Sequence, residues 1–257
     1  MMQLDFNVEL VRHYHSAPQV ARILTENWVT DNMFCPRCGN AHLEHFENNR
    51  PVADFFCPMC KNEYELKSKN SSLGNKVVDG AYETMIARIT GNENPDFFFM
   101  SYTKEKFRVI DFVFVPKYFF VPSIVERRKP LKETARRAGW VGCNILISRI
   151  PEQGRINIVS NGIAQDAARV VEKVERSARL QTKNIESRNW MMDVLNCINR
   201  IHRQDFSLDD VYGFETVLQG MHPYNSNIRP KIRQQLQFLR DKGIIEFVGR
   251  GKYKKII

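Results

Sequence analysis

Strand-length runs of apolar residues recur through the first two thirds of the chain. They are rich in aromatic and β-branched side chains, which predicts strands buried on at least one face. Such runs occupy residues 97–103, 109–115, 144–147 and 155–159. The cysteine-containing stretch 34–69 has the pattern of several shorter strands.

Apolar residues at helical spacing alternate with these strands. They predict helices over 8–32 (with a break near 16–18), 78–90 and 167–180. Gly91 marks the predicted end of the second helix. Strands that alternate with helices in this way indicate an α/β or α+β core.

The last third of the chain has a different pattern. A polar stretch at 181–187 predicts a linker and divides the chain into predicted domains at 1–182 and 183–257. Beyond it the pattern predicts, in order, helices at 190–201, 208–218 and 228–242, a strand at 244–248, a turn at 249–251 and a last strand at 252–257. Three helices followed by a hairpin is the order of a winged helix, a DNA-binding fold.

Four of the six cysteines form two pairs. Cys35 and Cys38, like Cys57 and Cys60, are separated by two residues, and eighteen residues lie between the pairs. This spacing predicts a closed tetrahedral zinc site with a structural role. His42 and His45 lie between the pairs and are alternative ligands, although four thiolates already complete the shell. The remaining two cysteines are interpreted as buried apolar residues.

The charge balance adds a candidate partner. The formal net charge is +9, and the residues from Asn225 onward contain nine Lys or Arg against two acids. Such an excess indicates a polyanion partner, because basic side chains displace counterions from phosphates. A basic but otherwise unspecialised surface is the alternative.

No sequence feature points to a membrane. The N-terminal MMQLDFNVEL lacks the basic and apolar regions of a secretory signal. The longest apolar runs have strand length and are too short to span a bilayer. We therefore expect a soluble, cytoplasmic protein without a membrane partner.

An acid, a second acid and a lysine surround the second cysteine pair. Glu65 and Lys67 are two residues apart, so on a strand their side chains share a face. Asp54 precedes them on a possible partner strand of a hairpin. Two converging carboxylates and the Leu66 carbonyl would form a hard oxygen site for Mg²⁺. Beside it, Lys67 could position or deprotonate a water, which is chemistry for phosphodiester hydrolysis. The alternative is a solvated strand face with alternating charges.

This arrangement resembles the PD-(D/E)xK nuclease superfamily. One feature departs from the motif, because the proline, Pro51, is not adjacent to Asp54. The resemblance implies that Asp54, Glu65 and Lys67 are the catalytic residues.

The predicted helix 228–242 carries a second candidate site. Its apolar stripe is backed by a basic, amide-bearing face with Arg229, Arg233 and Gln234. Arg and Gln can read guanine and adenine in the major groove, and Arg250 and Lys252 in the hairpin would contact phosphates. The alternative is a solvated surface helix.

A third candidate lies in the first predicted domain. Arg136 and Arg137 are followed by Gly139 and Trp140, a combination that could clamp phosphates and insert an aromatic wedge into DNA. Trp140 is otherwise interpreted as a core residue.

Four strings extend the resemblance to methyl-directed type II restriction endonucleases, over essentially the whole chain and in the same order. They are HFENNRPVADF, YELKSK, TARRAGWVGCNI and IRQQLQFLRDKGIIEFVGRGKY. The resemblance implies a PD-(D/E)xK catalytic domain with an embedded four-cysteine zinc segment, followed by a winged helix. It further implies Mg²⁺-dependent double-strand cleavage of GATC containing N6-methyladenine, with both domains binding DNA, by a monomer in a bacterial or archaeal cell.

Two other functions remain open from the residues alone. One is a DNA-binding regulator without enzymatic activity, in which Asp54 and Glu65 are surface acids. The other is a PD-(D/E)xK repair nuclease with a different specificity. A regulator has no need for the two acids to converge, so their relative position separates it from the nucleases.

Overall fold

The computed structural model describes residues 2–47 and 53–256; Pro51 of the sequence motif therefore lies outside the described residues. Within them the strands are, in chain order, β1 (Glu44–His45), β2 (Phe55–Phe56), β3 (Glu63–Lys69), β4 (Val77–Ala81), β5 (Asp96–Thr103), β6 (Arg108–Val115), β7 (Val125–Arg127), β8 (Gly142–Ile145), β9 (Ile156–Ser160), β10 (Ile163–Ala164), β11 (Asp205–Ser207), β12 (Ile245–Gly249) and β13 (Lys252–Lys255). The α-helices are α1 (Ala17–Asn32), α2 (Tyr82–Thr90), α3 (Ala167–Ala178), α4 (Ile185–Arg200), α5 (Leu208–Tyr212), α6 (Glu215–Met221) and α7 (Ile228–Asp241).

The strands form three sheets. The central sheet has the order β1-β2-β3-β5-β6-β9-β10, in which β3 and β5 are parallel and the other pairs antiparallel. A smaller antiparallel sheet has the order β4-β8-β7, and a third, β11-β13-β12, lies in the last part of the chain. This mixed arrangement confirms the expected α/β class.

The central sheet separates two hydrophobic cores. Successive side chains of a strand point to opposite faces, and in β5 Phe98 and Met100 enter the core formed with α1 and α3. Phe97 and Phe99 enter the other core, which is shared with α2, the small sheet and the C-terminal helices. Because β5 is apolar on both faces, it lies in the middle of the sheet, as its continuous apolar run predicts.

A buried carboxylate connects the central sheet to the cysteine-rich segment. Asp96, at the start of β5, is fully buried. Its two oxygens accept bonds of 2.7 Å from Arg37 Nε and Nη2, and further bonds from Asn62 Nδ2 and Lys117 N. Burial opposes the charge of Arg37, but Asp96 outweighs it and raises the pKa of the guanidinium. Arg37 lies between the first two cysteines and Asn62 follows the last, so Asp96 anchors both.

The C-terminal part packs closely against the rest of the chain. Arg188 of α4 is buried and donates to Phe120 O (3.1 Å) and to Asn92 Oδ1 (2.8 Å). Asn199 of the same helix exchanges two hydrogen bonds with Gln153. These contacts fix α4 against the first part of the chain.

The C-terminal elements follow the order of a winged helix. In this order α4 is followed by β11, by α5 and α6, by α7, and by the hairpin of β12 and β13. The predicted order of helices followed by a hairpin is therefore confirmed, with two short helices, α5 and α6, in place of the second predicted helix. The short strand β11, which pairs with β13, is an addition that its three residues gave no pattern to predict.

Three details of the predicted elements are wrong. The first turn of the predicted helix 78–90 is part of strand β4, because the valines of this strand favour extended structure and Gly80 disfavours a helix, which begins only at Tyr82. The predicted helix 208–218 is interrupted near Gly213. The predicted linker is short, since the side chain of Asn184 caps a helix that already begins at Ile185.

No helix in the described ranges 2–47 and 53–256 is long and apolar enough to cross a membrane.

Asp96→Asn is expected to destabilise the zinc-loaded protein by about 3 kcal/mol, because it leaves the Arg37 guanidinium buried without a carboxylate. Urea unfolding measures this change. Asp241→Asn is the matched control, because it removes an exposed partner of Arg240 and should change stability by less than about 0.5 kcal/mol. A change below about 1 kcal/mol in Asp96→Asn would contradict the anchoring role.

Candidate nuclease site and cysteine cluster

Asp54 and Glu65 belong to the two arms of one hairpin. The register of β2 and β3 pairs Phe55 with Tyr64 and Phe56 with Glu63, so Asp54 directly precedes β2 and Glu65 directly follows the partner of Phe55. The Asp54 N–H donates to Tyr64 O at 2.9 Å, and Tyr64 is also the register partner of Phe55, so the pairing is irregular just before β2. This backbone contact holds Asp54 beside Tyr64, the residue that precedes Glu65.

The Asp54 carboxylate is oriented by the backbone of β3. Its Oδ2 accepts a hydrogen bond of 2.7 Å from the Leu66 N–H. The carboxylate thus contacts the strand between Glu65 and Lys67. Asp54, Glu65 and Lys67, which are separated in sequence, are brought together as predicted.

Lys67 lies between two carboxylates. Its Nζ is 2.6 Å from Glu65 Oε1 and 2.5 Å from Asp79 Oδ1. Burial alone would lower the pKa of Lys67, but these two carboxylates outweigh burial and raise it. The side chain is therefore a protonated ammonium at neutral pH, which makes it a donor and a positive charge rather than a base.

Both acids of the hairpin are held in an environment that disfavours their charge. Burial raises the pKa of Asp54, against the hydrogen bond from Leu66 and the charge of Lys67. Burial likewise raises the pKa of Glu65, and the neighbouring Asp79 adds to the shift. A bound cation would offset this unfavourable concentration of negative charge.

The donor set suits a hard divalent cation. Two carboxylates and the Leu66 carbonyl offer oxygen ligands of the kind that Mg²⁺ prefers. Glu65 Oε2 is buried and has no hydrogen-bond partner among the described residues. Within the described ranges this oxygen accepts no hydrogen bond and has the Arg88 guanidinium at 3.5 Å, an arrangement that is consistent with a ligand position for a metal ion.

Two further residues of the site were missed by sequence reasoning. Asp79 on β4 contacts Lys67, and Arg88 on α2 places Nη2 3.5 Å from Glu65 Oε2. Asp79 precedes the start of α2 and Arg88 follows it, in a segment that was predicted to be one continuous helix. A correct prediction of the strand would have separated Asp79 from Arg88, but no spacing rule links either residue to Glu65 and Lys67.

The four predicted cysteine ligands form one cluster. Their sulfurs all lie within 4.8 Å of one another, and the Cys35–Cys60 and Cys38–Cys57 sulfurs are each 3.6 Å apart. Sulfurs bound tetrahedrally to zinc at about 2.3 Å are about 3.8 Å apart. The cluster therefore has the dimensions of a zinc site.

The two cysteine pairs form similar turns. In each, the N–H of the first cysteine donates to an asparagine carbonyl five residues later, Asn40 or Asn62. The residue after the second cysteine has a positive φ, +75° at Gly39 and +59° at Lys61. In the second turn, burial raises the pKa of Cys57, but backbone N–H groups donated to its sulfur by Cys60 and Met59 outweigh burial and lower it. These donors favour thiolate, the form that binds metal.

The cluster touches the candidate nuclease site directly. The turn of Cys57 and Cys60 is the connection between β2 and β3. In addition, the Tyr64 hydroxyl on β3 lies 2.9 Å from Cys35 Sγ. Burial and the Cys35 sulfur raise the pKa of Tyr64, so it remains a neutral phenol.

The two histidines are not part of this cluster. His45 Nε2 is 3.1 Å from Glu26 Oε2, and its ring packs edge-on against Phe55. Within the described ranges, His42 is not among the side chains that cluster as possible metal ligands with the four cysteines. The interpretation in which cysteines alone supply the ligands is thus favoured.

The loop between β7 and β8 presents the predicted arginine and tryptophan residues. Arg136 and Arg137 are exposed, and Trp140 is half-buried. The Arg137 guanidinium lies over the Trp140 ring at 4.5 Å. Trp140 also covers Gly142, where a Cβ would come within 2.8 Å of the ring. The tryptophan therefore belongs to the surface loop rather than to a hydrophobic core.

Helix α7 has the two faces that its sequence predicts. Ile228, Ile232, Leu236 and Leu239 are buried, while Arg229, Arg233 and Gln234 are exposed. Arg229 Nε bonds to Glu215 Oε2 at 2.8 Å, and Arg233 Nη1 bonds to the Tyr212 hydroxyl at 2.8 Å.

The hairpin beside this helix is basic at its tip. Arg250 and Lys252 are exposed on either side of Gly251, whose φ is +66°. A positive φ favours glycine, so the backbone conformation of the turn between β12 and β13 explains why a glycine occupies position 251.

Two family models match the chain. One, described as DpnI, the Dam-replacing family, matches residues 2–183. The other, described as the Dam-replacing HTH domain, matches residues 186–255. Together the two matches extend over almost the whole sequence.

Asp54→Asn is expected to raise the melting temperature of the protein without added Mg²⁺ at pH 7.5 by about 2–4 °C, the shift that ~1 kcal/mol gives in a chain of this size. The pKa of Asp54 is raised on folding, so its charge destabilises the folded state above that pKa. As the pH falls through the pKa of Asp54 in the folded state, protonation removes this destabilising charge from the wild type. The difference in melting temperature between the two proteins should therefore shrink.

Thermal melts of both proteins between pH 7.5 and 4.5 test this expectation, with Asp241→Asn as the control for an exposed acid. A variant that melts below the wild type at pH 7.5, or a difference that does not change with pH, would show that the Asp54 charge is not destabilising.

Proposed function

The chain belongs to the Dam-replacing family described as DpnI, and on that premise we propose that it cleaves both strands of DNA at GATC sites containing N6-methyladenine, in a reaction that requires Mg²⁺. Family membership supports a methyl-directed restriction endonuclease with a DNA-binding helix–turn–helix domain. The observation that carries the catalytic proposal is the bond of 2.7 Å from the Leu66 N–H to the Asp54 carboxylate, which brings Asp54 to β3 between Glu65 and Lys67.

Asp54, Glu65 and the Leu66 carbonyl would hold the catalytic cation. When bound, Mg²⁺ would supply Lewis-acid stabilisation of the charge that develops on the phosphoryl oxygens. The Leu66 N–H holds one oxygen of Asp54, which fixes the direction of its carboxylate. Glu65 contributes the buried Oε2, which has no other hydrogen-bond partner in the described part of the chain.

Lys67 would act as a positive donor in the reaction. In hydrolysis a water oxygen forms a bond to phosphorus while the bond from phosphorus to the leaving oxygen breaks. The Lys67 ammonium can donate hydrogen bonds to the attacking water or to a phosphoryl oxygen and so stabilise the negative charge of the transition state. Its raised pKa disfavours the alternative role as the base that deprotonates water.

Cys35, Cys38, Cys57 and Cys60 would hold a structural zinc ion. Four thiolates leave no coordination position open for a substrate, so the ion takes no part in hydrolysis. Its contribution would be to fix the connection between the two arms of the hairpin that carry Asp54 and Glu65.

Recognition would be divided between two surfaces. On the first part of the chain, Arg136 and Arg137 would contact phosphates, and Trp140 presents its half-buried ring to the DNA. A methyl group is apolar, so an aromatic surface of this kind suits its recognition. On the winged helix the direct contacts would come from Arg229, Arg233, Gln234, Arg250 and Lys252, with the first three directed to the major groove.

The proposal keeps the predicted domains at 1–182 and 183–257 and a monomeric protein. A monomer has one Asp54–Glu65 pair, so cleavage of both strands requires either two successive events or a transient pair of chains.

Plasmid grown in adenine-methylating and in non-methylating hosts tests the function directly. With Mg²⁺ the protein is expected to cut only the methylated plasmid, because both proposed DNA-contacting surfaces would recognise GATC that contains N6-methyladenine. Asp54→Ala should remain folded and bind a methylated duplex, but lose cutting by about 10³-fold or more, because it removes a ligand of the cation.

Glu44→Ala is the matched control, since it removes an exposed acid from the neighbouring strand β1 and should cut like the wild type. Equal cutting of both plasmids would remove the methyl specificity. Binding to DNA without cutting under any divalent cation would favour a regulator.

A further inference from the structure

We propose that Asp79 is a positioning residue of the cleavage site, which holds the Lys67 ammonium in place through its carboxylate. Asp79 Oδ1 lies 2.5 Å from Lys67 Nζ, and only 6% of the Asp79 side chain is exposed. Asp79 lies on neither arm of the β2–β3 hairpin, and it is not one of the three motif residues Asp54, Glu65 and Lys67. The inference rests on the proposed function, because it assigns Asp79 a part in the same reaction.

The backbone of β4 is irregular at this position. Asp79 pairs with Cys143 of β8 and Ala81 pairs with Gly142, so Gly80 is an extra residue in the strand. Such a bulge turns the side chains next to it away from their regular directions. Val77, Asp79 and Ala81 alternate with the exposed Val78 and Gly80, so Asp79 points inward, towards Lys67 on β3 of the central sheet.

Lys67 needs a partner that is not also a ligand of the cation. In the present structure the ammonium is shared between Glu65 and Asp79. A Glu65 carboxylate that binds a divalent cation would have less negative charge to offer Lys67. Asp79 is outside the proposed ligand set, so its carboxylate would remain to hold the lysine beside the cation.

The same segment also contacts the other member of the pair. Arg88, on the helix that follows β4, lies 3.5 Å from Glu65 Oε2. The segment 77–90 therefore places a carboxylate against Lys67 and a guanidinium against Glu65. Opposite charges at these two points keep the lysine and the glutamate in defined orientations before DNA arrives.

Single-turnover cleavage of a methylated GATC duplex by the full-length, zinc-loaded protein with Mg²⁺ tests this role. Asp79→Asn is expected to lower the rate at saturating enzyme by about 10- to 100-fold, because a displaced Lys67 no longer meets the reacting phosphate. The enzyme concentration that gives half of the maximal rate should stay within about twofold of the wild-type value, since Asp79 contacts Lys67 and not the DNA.

Asp79→Glu keeps the charge and should recover a large part of the rate. Glu126→Gln is the matched control: it removes a carboxylate from β7 of the same small sheet, where Glu126 pairs with Lys76, and should cleave like the wild type. Melting temperatures of all variants identify any loss of folding.

The proposal is overturned if Asp79→Asn cleaves within about threefold of the wild type, or if its defect lies only in half-saturation. It is also overturned if the Asn and Glu variants are equally slow and equally destabilised, which would assign Asp79 a purely structural role. A wild type that does not cut the methylated duplex would instead refute the proposed function. If the wild type cuts and Asp79→Asn cuts equally fast, only the positioning role of Asp79 is refuted and the proposed function stands.

Discussion

The register of the β2–β3 hairpin is the constraint on which the whole site depends. A shift of one residue would move Glu65 and Lys67 to the opposite face of the sheet and bring Tyr64 and Leu66 to the site instead. Three contacts oppose such a shift: the turn of Cys57 and Cys60 that joins the strands, the contact between the Tyr64 hydroxyl and Cys35, and the bond from Leu66 N–H to Asp54. Buried Asp96 fixes the cysteine turns to the sheet through Arg37 and Asn62.

This fixed register concentrates charge at one point. Asp54, Glu65 and Asp79 contribute three carboxylates, while Lys67 and Arg88 contribute two positive charges, so the site has one negative charge in excess when all five are ionised. Partial burial strengthens each interaction, because the local dielectric constant is lower than that of water. A divalent cation would reverse the sign of the excess, which is the condition for receiving a phosphate. Under the proposed function the cysteine cluster and the carboxylate site would have separate roles, one structural and one catalytic.

Much of this arrangement could be predicted from the sequence. The two cysteine pairs have a spacing with few alternative explanations, and the apolar run at β5 could only be a buried strand. Asp54, Glu65 and Lys67 were predicted because an acid followed by E-x-K across a connection places both acids on one hairpin. The stripe of Ile228, Ile232, Leu236 and Leu239 correctly predicted the buried side of α7.

The rest depended on contacts between distant segments. Asp79 reaches Lys67 because β4 packs against β3 of the central sheet, and no local pattern encodes that approach. Asp96 is similar, since its partners Arg37 and Lys117 come from separate parts of the chain. The predicted linker at 181–187 extends too far, because polarity cannot show that Asn184 caps a helix that begins at Ile185 or that Arg188 finds a buried acceptor in Phe120 O.

Hydrogen exchange at the Leu66 amide tests the central claim most directly, namely that the cysteine cluster fixes the hairpin carrying Asp54 and Glu65. The amide donates to the Asp54 carboxylate, so its exchange rate reports whether the two strands keep their register. Removal of zinc by a chelator is predicted to accelerate exchange at Leu66 and along β3, while α7 in the winged helix remains protected as an internal reference. Zinc-free protein in which the Leu66 amide exchanges as slowly as in the zinc-loaded protein would contradict the account.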